Sequence, residues 1–380
     1  MAKQAKIEPF PEAAAPGALL AVDRAVSDLR RAAVVVIRGG EGAATLVQAA
    51  EAVTPQSLDR LATLSGATPV LVLTARRAAA LNLSPASCDM VTLELTEGIA
   101  AQTVRDIADP AASVSAKPPP LIEIASAHLR ACYGAAVELT KLARLLPAAL
   151  TAPLEPQHSG DAVARANSLL LVEAKDIDAY QVNAARSLRP VSQARMPLAG
   201  AENTLIVAYR PSDGGIEHLA IIVGKPSPDV PVLTRLHSEC FTGDLLASLR
   251  CDCGDQLRGA IQEIARAGSG VLIYLAQEGR GIGLVNKLRA YQQQDDGFDT
   301  FDANEQLGFD ADERVYLPAA EILRDRGFTR VRLLTNNPEK VAALSRCGIT
   351  VVERVPHVFP ANDHNEKYLR TKASRSGHLF

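Results

Sequence analysis

The first half of the chain alternates short apolar runs with amphipathic stretches. Apolar, β-branched runs over residues 32–38, 68–73 and 90–95 predict strands. Between these runs, residues 58–66 and 74–83 carry apolar side chains at helical spacing. This alternation of strands and helices predicts an α/β domain.

The same half continues with two predicted loops and one long helix. A stretch rich in Pro, Ser and Ala over residues 109–120 predicts an exposed loop. A helical pattern over residues 131–147 follows, and a second loop is predicted over residues 152–161. A predicted strand over residues 168–173 and a predicted helix over residues 174–188 complete this half.

The second half begins with a hairpin signal. Alternating strands over residues 203–210 and 218–224 flank a Ser-Asp-Gly-Gly turn at residues 212–215. A third strand is predicted over residues 230–239, and from residue 254 helices alternate with strands. The later strands are predicted over residues 270–276, 330–335 and 349–355.

The change of pattern near residues 185–195 predicts two α/β domains. We predict a flexible N-terminus over residues 1–18, an N-terminal domain over residues 19–188 and a C-terminal domain over residues 189–380. The N-terminus lacks the apolar core and the cleavage site of a secretory signal. The longest apolar runs are far too short to span a bilayer. We therefore expect a cytoplasmic protein with no membrane partner.

Composition narrows the range of partners. The 380 residues are 47% hydrophobic, enough for two cores, and carry a formal net charge of −3. No global basic field would attract nucleic acid or anionic lipid. No basic stripe is interleaved with aromatic residues, and the chain lacks Trp. We therefore expect no nucleic-acid partner, and an anionic substrate would need local positive contacts.

The six cysteines are expected to be thiols, because disulfides rarely persist in a reducing cytosol. Cys88, Cys132 and Cys347 are scattered along the chain, and we expect them to be buried and unreactive. The other three cysteines lie close together among polar residues, which indicates a function.

Cys240, Cys251 and Cys253 have the spacing C-x10-C-x-C. Zinc favours thiolate ligands, and coordination would hold all three side chains deprotonated. A structural site takes four protein ligands, and His237 would complete it, whereas a catalytic site keeps one position open. An open site would activate water near neutral pH for attack on an electron-poor carbon. The spacing favours the open site and leaves the closed site and a site without metal as alternatives.

A glycine-rich turn follows the predicted strand that ends at Gln277 and Glu278. Residues 279–283 lead into a helix, and glycines there would let backbone donors approach an anion. An ordinary tight turn explains the glycines equally well. The pair of Glu278 and Arg280 is more informative, because a carboxylate accepts from a guanine-like edge and a guanidinium holds phosphate.

A second candidate anion site lies where the strand over residues 331–334 runs into a helix. Asn337 is a suitable N-cap, and Pro338 is a suitable first helical residue. A well-capped surface helix explains both residues. It does not require Thr335 or Lys340, which add a hydroxyl and an ammonium beside a helix N-terminus.

Between these two sites, residues 291–316 are rich in Asp and Gln with no clear period. We expect an ordered functional loop there rather than a core element. Asp312 and Arg314 are two positions apart and could point the same way on an extended segment. Simple solvation is the alternative for both side chains.

Six motifs together resemble those of GTP cyclohydrolase II, an enzyme of riboflavin biosynthesis. In chain order they are HSECFTGD, SLRCDCGDQL, QEGRGIGLVNKLRAY, QLGFDADER, LLTNNPEK and KYLRTKASRSGHL. They run from about residue 190 to Phe380, half of the chain, and six motifs in register are far more specific than any one. The resemblance implies a GTP cyclohydrolase II fold with a zinc site in the C-terminal domain.

The resemblance implies that Cys240, Cys251 and Cys253 bind the catalytic zinc, which selects the open site. The implied reaction opens the imidazole ring of GTP, releases C8 as formate and removes diphosphate. The implied product is 2,5-diamino-6-hydroxy-4-(5-phosphoribosylamino)pyrimidine. Magnesium is expected on the triphosphate, because it bridges phosphate oxygens. The implied GTP contacts are Arg235, Leu236, His237, Ser238, Glu239, Gln256, Glu278, Gly279, Arg280, Thr300, Thr335 and Lys340.

Three further residues match the reacting centre of the family. Asp312 matches the proton acceptor, Arg314 the nucleophile, and Tyr291 a tyrosine near the reacting base. Arginine is a poor nucleophile when it is protonated. Arg314 could instead stabilise charge that develops at the α-phosphate. The family also suggests a homodimer.

Residues 19 to about 185 resemble a degenerate 3,4-dihydroxy-2-butanone-4-phosphate synthase, which in many bacteria precedes the cyclohydrolase in one chain. The resemblance is carried by stretches such as VLVLTARRAAALNLSP and TLELTEGIAAQTVRDIAD. The acidic cluster of that family is replaced by IRGGEGA at residues 37–43, and its Gly-His-Thr-Glu segment by CYGA at residues 132–135. A lone Glu41 cannot hold magnesium well. We therefore expect no synthase activity and a role in scaffolding, dimerisation or regulation.

Two other functions are considered. A paralogue with the same fold and zinc could act in another pathway, such as pyrimidine catabolism, but the retained Tyr291, Asp312 and Arg314 favour the cyclohydrolase. A regulatory protein could bind GTP without turning it over. Binding alone would not require an open metal site.

Overall fold

The computed structural model describes six stretches of the chain, at residues 16–83, 89–96, 98–112, 118–124, 126–155 and 158–359. Cys88, the last of the six motifs and most of the N-terminus that we expected to be flexible lie outside these stretches. Residues 16–18, at the end of that expected N-terminus, begin the first helix.

Strands and helices alternate along most of the described chain. The strands are β1 Val35–Arg38, β2 Ala44–Ala49, β3 Val70–Thr74, β4 Met90–Glu94, β5 Leu121–Ile122, β6 Ala148–Pro153, β7 Leu170–Glu173, β8 Arg189–Arg195, β9 Thr204–Arg210, β10 His218–Val223, β11 Val232–Ser238, β12 Gly270–Leu275, β13 Arg330–Leu334 and β14 Thr350–Val355. The helices are α1 Pro16–Arg30, α2 Pro55–Ser65, α3 Ala75–Ala80, α4 Ala101–Ala108, α5 Ala127–Leu142, α6 Gly160–Ala166, α7 Ala174–Asp178, α8 Tyr180–Arg186, α9 Phe241–Asp244, α10 Cys253–Arg266, α11 Leu284–Asp295, α12 Thr300–Gln306, α13 Leu317–Asp325 and α14 Pro338–Arg346. Among the described residues, no helix combines the length and the apolarity needed to cross a membrane.

The chain divides into two compact α/β units. The N-terminal unit contains residues 16–180 together with residues 282–313, and the C-terminal unit contains residues 181–281 and 314–359. Residues 282–313 therefore pack with the first half of the chain, although they belong to the second half in sequence.

A mixed sheet forms the centre of the N-terminal unit, with the described strands in the order β5-β4-β3-β6-β2-β1-β7. Strands β1 and β7 pair in parallel, and the other neighbours are antiparallel. Strand β3 shows that both faces of this sheet are covered. Leu71 and Leu73 are buried in one apolar cluster, and Val70 and Val72 are buried in another. Successive side chains point to opposite faces, so apolar groups must pack on both sides.

Four predicted strands of the first half are confirmed as β1, β3, β4 and β7. Strands β2 and β6 and the two-residue β5 were not predicted, and the loop expected over residues 152–161 begins inside β6. Strands β2 and β6 are buried along almost their whole length and contain Ala residues, so they lack the alternation that marks a strand in sequence. The helix predicted over residues 174–188 is broken into α7 and α8.

A second sheet forms the centre of the C-terminal unit, with the described strands in the order β14-β13-β11-β12-β10-β9-β8. The predicted hairpin is confirmed, because β9 and β10 pair antiparallel. Strand β8, which was not predicted, is an exposed edge strand of mostly polar residues. Strands β12, β11, β13 and β14 run parallel, so their carboxyl ends lie at one edge of the sheet. Open α/β sheets bind ligands at such an edge.

The stretch of residues 291–316 that we expected to be a functional loop contains helical residues over nearly half of its length. It contains the end of α11 and all of α12, and Ala303, Leu307 and Phe309 are buried in the core of the N-terminal unit. The side chain of Asp299 caps α12 by accepting hydrogen bonds from two backbone N–H groups. The expectation was therefore wrong. An N-cap and apolar residues four positions apart are present among the Asp and Gln residues.

Replacing Leu307 with Ala should destabilise the N-terminal unit. Leu307 is fully buried in the apolar cluster of this unit, so Leu307→Ala should lower its free energy of unfolding by about 2–5 kcal/mol. Leu288→Ala is the matched control, because Leu288 lies on the neighbouring α11 and is half exposed. Denaturant unfolding of the full chain measures both changes. Equal effects of the two substitutions would contradict the burial of residues 282–313 in this unit.

Candidate active site

Three thiols converge beside the carboxyl end of β11. Cys240 follows this strand, Cys251 lies in the next loop, and Cys253 is the first residue of α10. Their Sγ atoms lie within 4.8 Å of one another, and those of Cys240 and Cys251 are 3.7 Å apart. Within the described residues, this is the one group of three or more His, Cys, Asp or Glu side chains close enough to share an ion. The predicted cluster is thus assembled.

Two glycines leave the space that this cluster needs. A Cβ atom on Gly243 would lie 2.7 Å from Cys251 Sγ and 3.1 Å from Cys240 Sγ, closer than van der Waals contact allows. A Cβ atom on Gly254 would overlap the carbonyl oxygen of Gly243. The loop and the start of α10 can therefore approach each other only because both positions lack a side chain.

The thiols disfavour one another's ionisation. The hydrogen bond with Cys240 and burial raise the pKa of Cys251 to about 11. Hydrogen bonds with the other two thiols and burial raise the pKa of Cys253 well above its usual value. A bound cation would reverse this effect by stabilising the thiolates. Three convergent sulfur donors with no fourth protein donor in the group fit an open zinc site.

Asp244 fixes the loop that carries Cys240. Its carboxylate accepts hydrogen bonds from the backbone N of Cys240 at 3.0 Å and from the hydroxyl of Tyr274 at 2.9 Å. His237 Nε2 lies 3.0 Å from the same carboxylate, and the His237 ring stacks on Tyr274. Because His237 is outside the thiol group and engaged with Asp244, the closed alternative with His237 as fourth ligand is not supported. Sequence reasoning missed Asp244 and Tyr274, although Asp244 is only four residues after Cys240.

Glu278 fixes the same loop from the end of β12. This buried carboxylate accepts a hydrogen bond from the backbone N of Phe241 at 2.6 Å and another from the backbone N of Gly279 at 2.8 Å. Gly279 and Arg280 both have left-handed backbone conformations, with φ of 64° and 63°. That conformation is strained for an arginine, and such strain is found at functional sites.

Arg235 is a buried cation on β11. It donates to the carbonyl of Leu334 at 2.9 Å and to the side chain of Gln256, which itself donates to Asp252. Burial lowers the pKa of Arg235 to about 10, so its guanidinium stays protonated at neutral pH. In the described part of the C-terminal unit, the buried side-chain polar atoms without a hydrogen-bond partner are Arg235 Nε, Ser238 Oγ and Gln277 Oε1.

Two of these atoms belong to Ser238 and Gln277, at the carboxyl ends of β11 and β12, and the third belongs to Arg235 in the middle of β11. A buried polar group without a partner costs free energy, and native proteins retain few of them. Their concentration at one edge of the sheet indicates a place where a polar ligand would complete the hydrogen bonds.

The junction of β13 and α14 has the cap that the sequence predicts. Asn337 accepts a hydrogen bond from the backbone N of Glu339 at 2.9 Å, and Pro338 is the first helical residue. The Thr335 hydroxyl accepts from the backbone N of Asn337 at 3.0 Å. The ammonium of Lys340 is buried and donates to the carbonyl of Leu236 on β11 at 3.0 Å. This bond brings the predicted cation of α14 to the strand that carries Arg235.

A buried histidine that the sequence did not indicate lies near this junction. The backbone N of His357 donates to Asn336, whose amide donates to the His357 carbonyl. His357 Nε2 lies 3.1 Å from the carbonyl of Gln256, and burial lowers the pKa of this histidine to about 4. His357 therefore ties the chain after β14 to α10 as a neutral side chain.

The predicted site residues fall into two sets. The three thiols, Arg314 and most of the implied GTP contacts lie in the C-terminal unit, whereas Tyr291, Thr300 and Asp312 lie in the N-terminal unit. Tyr291 is on α11 with the ammonium of Lys287 5.7 Å from its ring centroid, and Thr300 is the first residue of α12. Asp312 is exposed. The implied GTP contacts in the C-terminal unit are Arg235, Leu236, His237, Ser238, Glu239, Gln256, Glu278, Gly279, Arg280, Thr335 and Lys340.

Comparison with known proteins identifies the family. The family model for GTP cyclohydrolase II matches residues 189–356. A GTP cyclohydrolase-2 of Azospirillum brasilense is 58% identical over 375 residues, which cover 97% of each chain. This chain belongs to the GTP cyclohydrolase II family.

Other members of the GTP cyclohydrolase II family match only part of the chain. A GTP cyclohydrolase-2 of Shigella boydii is 50% identical over 193 residues, which are 51% of this chain and 98% of that protein. A riboflavin biosynthesis protein RibBA of Chlorobium phaeovibrioides is 45% identical over 255 residues, 65% of this chain and 62% of that protein. The second match is longer than the 168 residues from 189 to 356 that the family model covers.

Solved structures overlay only loosely. The two-domain 3,4-dihydroxy-2-butanone 4-phosphate synthase RibBX of A. baumannii has a TM-score of 0.37 at 20% identity and covers 89% of this chain and 99% of its own. A 3,4-dihydroxy-2-butanone 4-phosphate synthase in complex with two magnesium ions has a TM-score of 0.35 at 23% identity and covers 42% and 95%. Because both TM-scores are low, these two structures support no conclusion about the fold or function of either unit.

The end of β1 in the N-terminal unit is occupied by the chain's own side chains. Arg38 forms ion pairs with Asp161 and Glu173. His128 Nε2 lies 3.3 Å from the exposed carboxylate of Glu41. Cys132, as predicted, is fully buried, and burial raises its pKa to about 11. The carboxylates here are thus paired with Arg38 or turned to solvent.

Zinc binding in this member of the GTP cyclohydrolase II family should strengthen as pH rises. Hydrogen bonding with Cys240 and burial raise the pKa of Cys251 to about 11 and that of Cys253 well above its usual value, so below those values both must release a proton before they coordinate a metal. Apparent zinc affinity, measured by chelator competition between about pH 6 and 8, should therefore increase with pH.

The controls for this titration separate the cluster from other thiols. Cys253→Ser should weaken zinc binding and flatten its pH dependence. Cys347→Ser should change neither, because Cys347 lies outside the cluster. An affinity that is independent of pH in the parent protein would exclude coordination by these thiols.

Proposed function

We propose that this chain hydrolyses GTP to 2,5-diamino-6-hydroxy-4-(5-phosphoribosylamino)pyrimidine, formate and diphosphate, the first step of riboflavin biosynthesis. The observation that carries the proposal is the convergence of Cys240, Cys251 and Cys253 after β11, together with the buried, unpartnered polar atoms of Arg235 and Ser238 on β11 and of Gln277 after β12. Membership of the GTP cyclohydrolase II family supports the same reaction.

In this proposal, zinc is held by Cys240, Cys251 and Cys253. Zinc bound there would act as a Lewis acid and would activate water near neutral pH for attack on an electron-poor carbon. The chain itself positions the thiols, since Asp244 and Glu278 fix the backbone on either side of Cys240 Sγ. Magnesium would accompany the substrate and bridge its phosphate oxygens.

The proposed GTP site lies along the carboxyl edge of the second sheet. The guanidinium of Arg235 stays charged and retains an unused donor, and the Ser238 hydroxyl is also unpartnered. Glu278 is a suitable contact for guanine, because an ionised carboxylate accepts hydrogen bonds from the donor edge of the base. The other proposed contacts are Leu236, His237, Glu239, Gln256, Gly279, Arg280, Thr300, Thr335 and Lys340.

We assign Asp312, Arg314 and Tyr291 to the reacting centre. Asp312 is exposed and would accept a proton, and Tyr291 would lie near the reacting base. The guanidinium of Arg314 lies 5.9 Å from the ring centroid of Tyr316. A cation above an aromatic face is stabilised in its charged form, which favours an electrostatic role at the α-phosphate over a covalent one.

We propose that the first half of the chain is a degenerate relative of 3,4-dihydroxy-2-butanone-4-phosphate synthase without synthase activity. The pairing of Arg38 with Glu173 and Asp161 supports this, because these carboxylates are already bound to a cation of the chain. We further propose that the protein is a homodimer, as the family resemblance suggests, and that it acts in the cytoplasm.

Incubation with GTP tests the proposed reaction. The zinc- and magnesium-loaded protein should release formate and diphosphate together, measured by chromatography. Cys251→Ser should abolish both products, and Cys347→Ser should leave them unchanged. Binding of GTP and zinc without either product would exclude the enzyme and favour a regulatory protein.

Substitution of Arg314 tests its role. Arg314→Ala should lower kcat by about 10²–10³-fold, because a donor aimed at developing charge is lost. Arg314→Lys should recover part of that loss if the role is electrostatic, since lysine keeps the charge. A guanylyl-arginine adduct detected by mass spectrometry under single-turnover conditions would establish the covalent role instead.

A further inference from the structure

A stretch inside the GTP cyclohydrolase II match packs within the N-terminal unit. The family model covers residues 189–356, and residues 282–313 within it belong to the same unit as residues 16–180. We call residues 282–313 the inserted segment. It carries Tyr291, Thr300 and Asp312, so its order bears directly on the proposed reacting centre.

The inserted segment is held at its start by polar bonds. The buried amide of Asn286 donates to the carbonyl of Arg144 at 3.0 Å, and Arg289 forms an ion pair with Glu51 at 3.2 Å. A Cβ atom on Gly283 would lie 2.9 Å from the side chain of Arg144, so the backbone approaches that side chain closely. The beginning of α11 is therefore fixed by residues of the first half.

It is held again where α12 ends. Gly308, with φ of 90°, terminates the helix, and its carbonyl accepts a 2.6 Å hydrogen bond from the Thr74 hydroxyl. Arg77 is almost fully buried and donates to the carbonyl of Gln306 at 3.1 Å and to that of Ile107 at 2.9 Å. A cation that binds terminal helix carbonyls is stabilised by the helix dipole. Arg77 thereby joins the ends of α4 and α12.

The third contact fixes the turn that contains Asp312. The ammonium of Lys141 on α5 lies 2.8 Å from the carboxylate of Glu313, and both side chains are largely shielded from solvent. The same carboxylate oxygen accepts from the backbone N of Asp310 at 2.8 Å. Lys141 therefore orients a side chain that closes the turn over residues 310–313, next to Asp312.

The helices of the inserted segment are too short to be stable by themselves. Helices α11 and α12 have 12 and 7 residues, and isolated helices of this length are marginal in water. Ala290 on α11 and Leu307 and Phe309 after α12 are buried in the cluster that also contains Leu73 and Leu146. The conformation of the segment thus depends on the first half of the chain.

We propose that three residues of the first half of the chain are positioning residues for the cyclohydrolase reaction: Lys141, Arg77 and Glu51. No catalytic activity is predicted for that half itself. They act by fixing the inserted segment, and with it Tyr291 and Asp312. This inference rests on the proposed function, and it assigns the first half of the chain a direct contribution to turnover. A misplacement of about 1 Å in a reacting group can lower a rate by about 10²-fold.

Lys141 gives the sharpest test, because its described ion pair is with Glu313 and it lies at the edge of the core. In the full chain, Lys141→Met should lower kcat for GTP about tenfold or more, with KM for GTP and zinc content within about twofold of the parent. Lys141→Arg, which keeps the charge, should recover most of the activity. Lys175→Met is the matched control, because it makes the same substitution at an exposed position of α7 in the same unit.

Hydrogen exchange in the full chain separates positioning from general destabilisation. In the Lys141→Met variant, amide hydrogen exchange should become faster in peptides from residues 300–313. It should stay unchanged in peptides from β3 and β6. A double variant that swaps the two charges, Lys141→Glu with Glu313→Lys, should restore the protection of residues 300–313 against hydrogen exchange. Parent-like turnover and exchange in Lys141→Met would overturn the proposal, as would a loss of turnover accompanied by faster exchange throughout the unit.

The two proposals can fail separately. If the parent protein released no formate or diphosphate, the proposed function would be refuted. The exchange of residues 300–313 would still show whether Lys141 fixes the inserted segment. If the parent were active and Lys141→Met equalled Lys175→Met in turnover, only the positioning role would be refuted.

Discussion

The C-terminal unit brings the thiols of Cys240, Cys251 and Cys253 close enough together to share one ion. Buried thiols raise one another's pKa, so their proximity must be imposed by other contacts. The carboxylates of Asp244 and Glu278 impose it by binding the backbone N–H groups of Cys240 and Phe241, while Gly243 leaves the space beneath the sulfur atoms. These contacts fix the start of the loop that leads from Cys240 to Cys251.

The sheet supplies the frame for these contacts. Parallel β11, β12 and β13 end at one edge, and each delivers one part of the candidate site. Arg235 and Ser238 come from β11, Gln277 from the end of β12, and Lys340 reaches β11 from α14. Unpartnered buried polar atoms at this edge are unfavourable in the protein alone. A polar substrate that completed their hydrogen bonds would be favoured over water by the preorganised geometry.

The first half of the chain folds around apolar clusters of its own. Both faces of its sheet are packed, and one of the two apolar clusters includes residues from the inserted segment. Relatives such as the Shigella boydii protein align over 98% of their own length with only 51% of this chain. The Azospirillum brasilense protein, in contrast, aligns over 97% of both chains.

The sequence alone predicted the local motifs of the candidate site more fully than it predicted how the strands pack. The thiol spacing, the capped helix after β13 and the hairpin of β9 and β10 were predicted because each is encoded by neighbouring residues, through turn, cap and ligand preferences. Strands β2, β6 and β8 were missed, because none carries the alternation of apolar and polar residues that marks a strand.

Only the tertiary structure decided which residues support the site. Asp244, Tyr274 and His357 are ordinary polar residues in sequence, and their hydrogen bonds become visible only when distant strands are brought together. The assignment of the inserted segment to the N-terminal unit has the same origin. Its contacts with Thr74 and Arg77 span more than 200 residues of chain, and burial at that distance is set by the fold rather than by any local pattern.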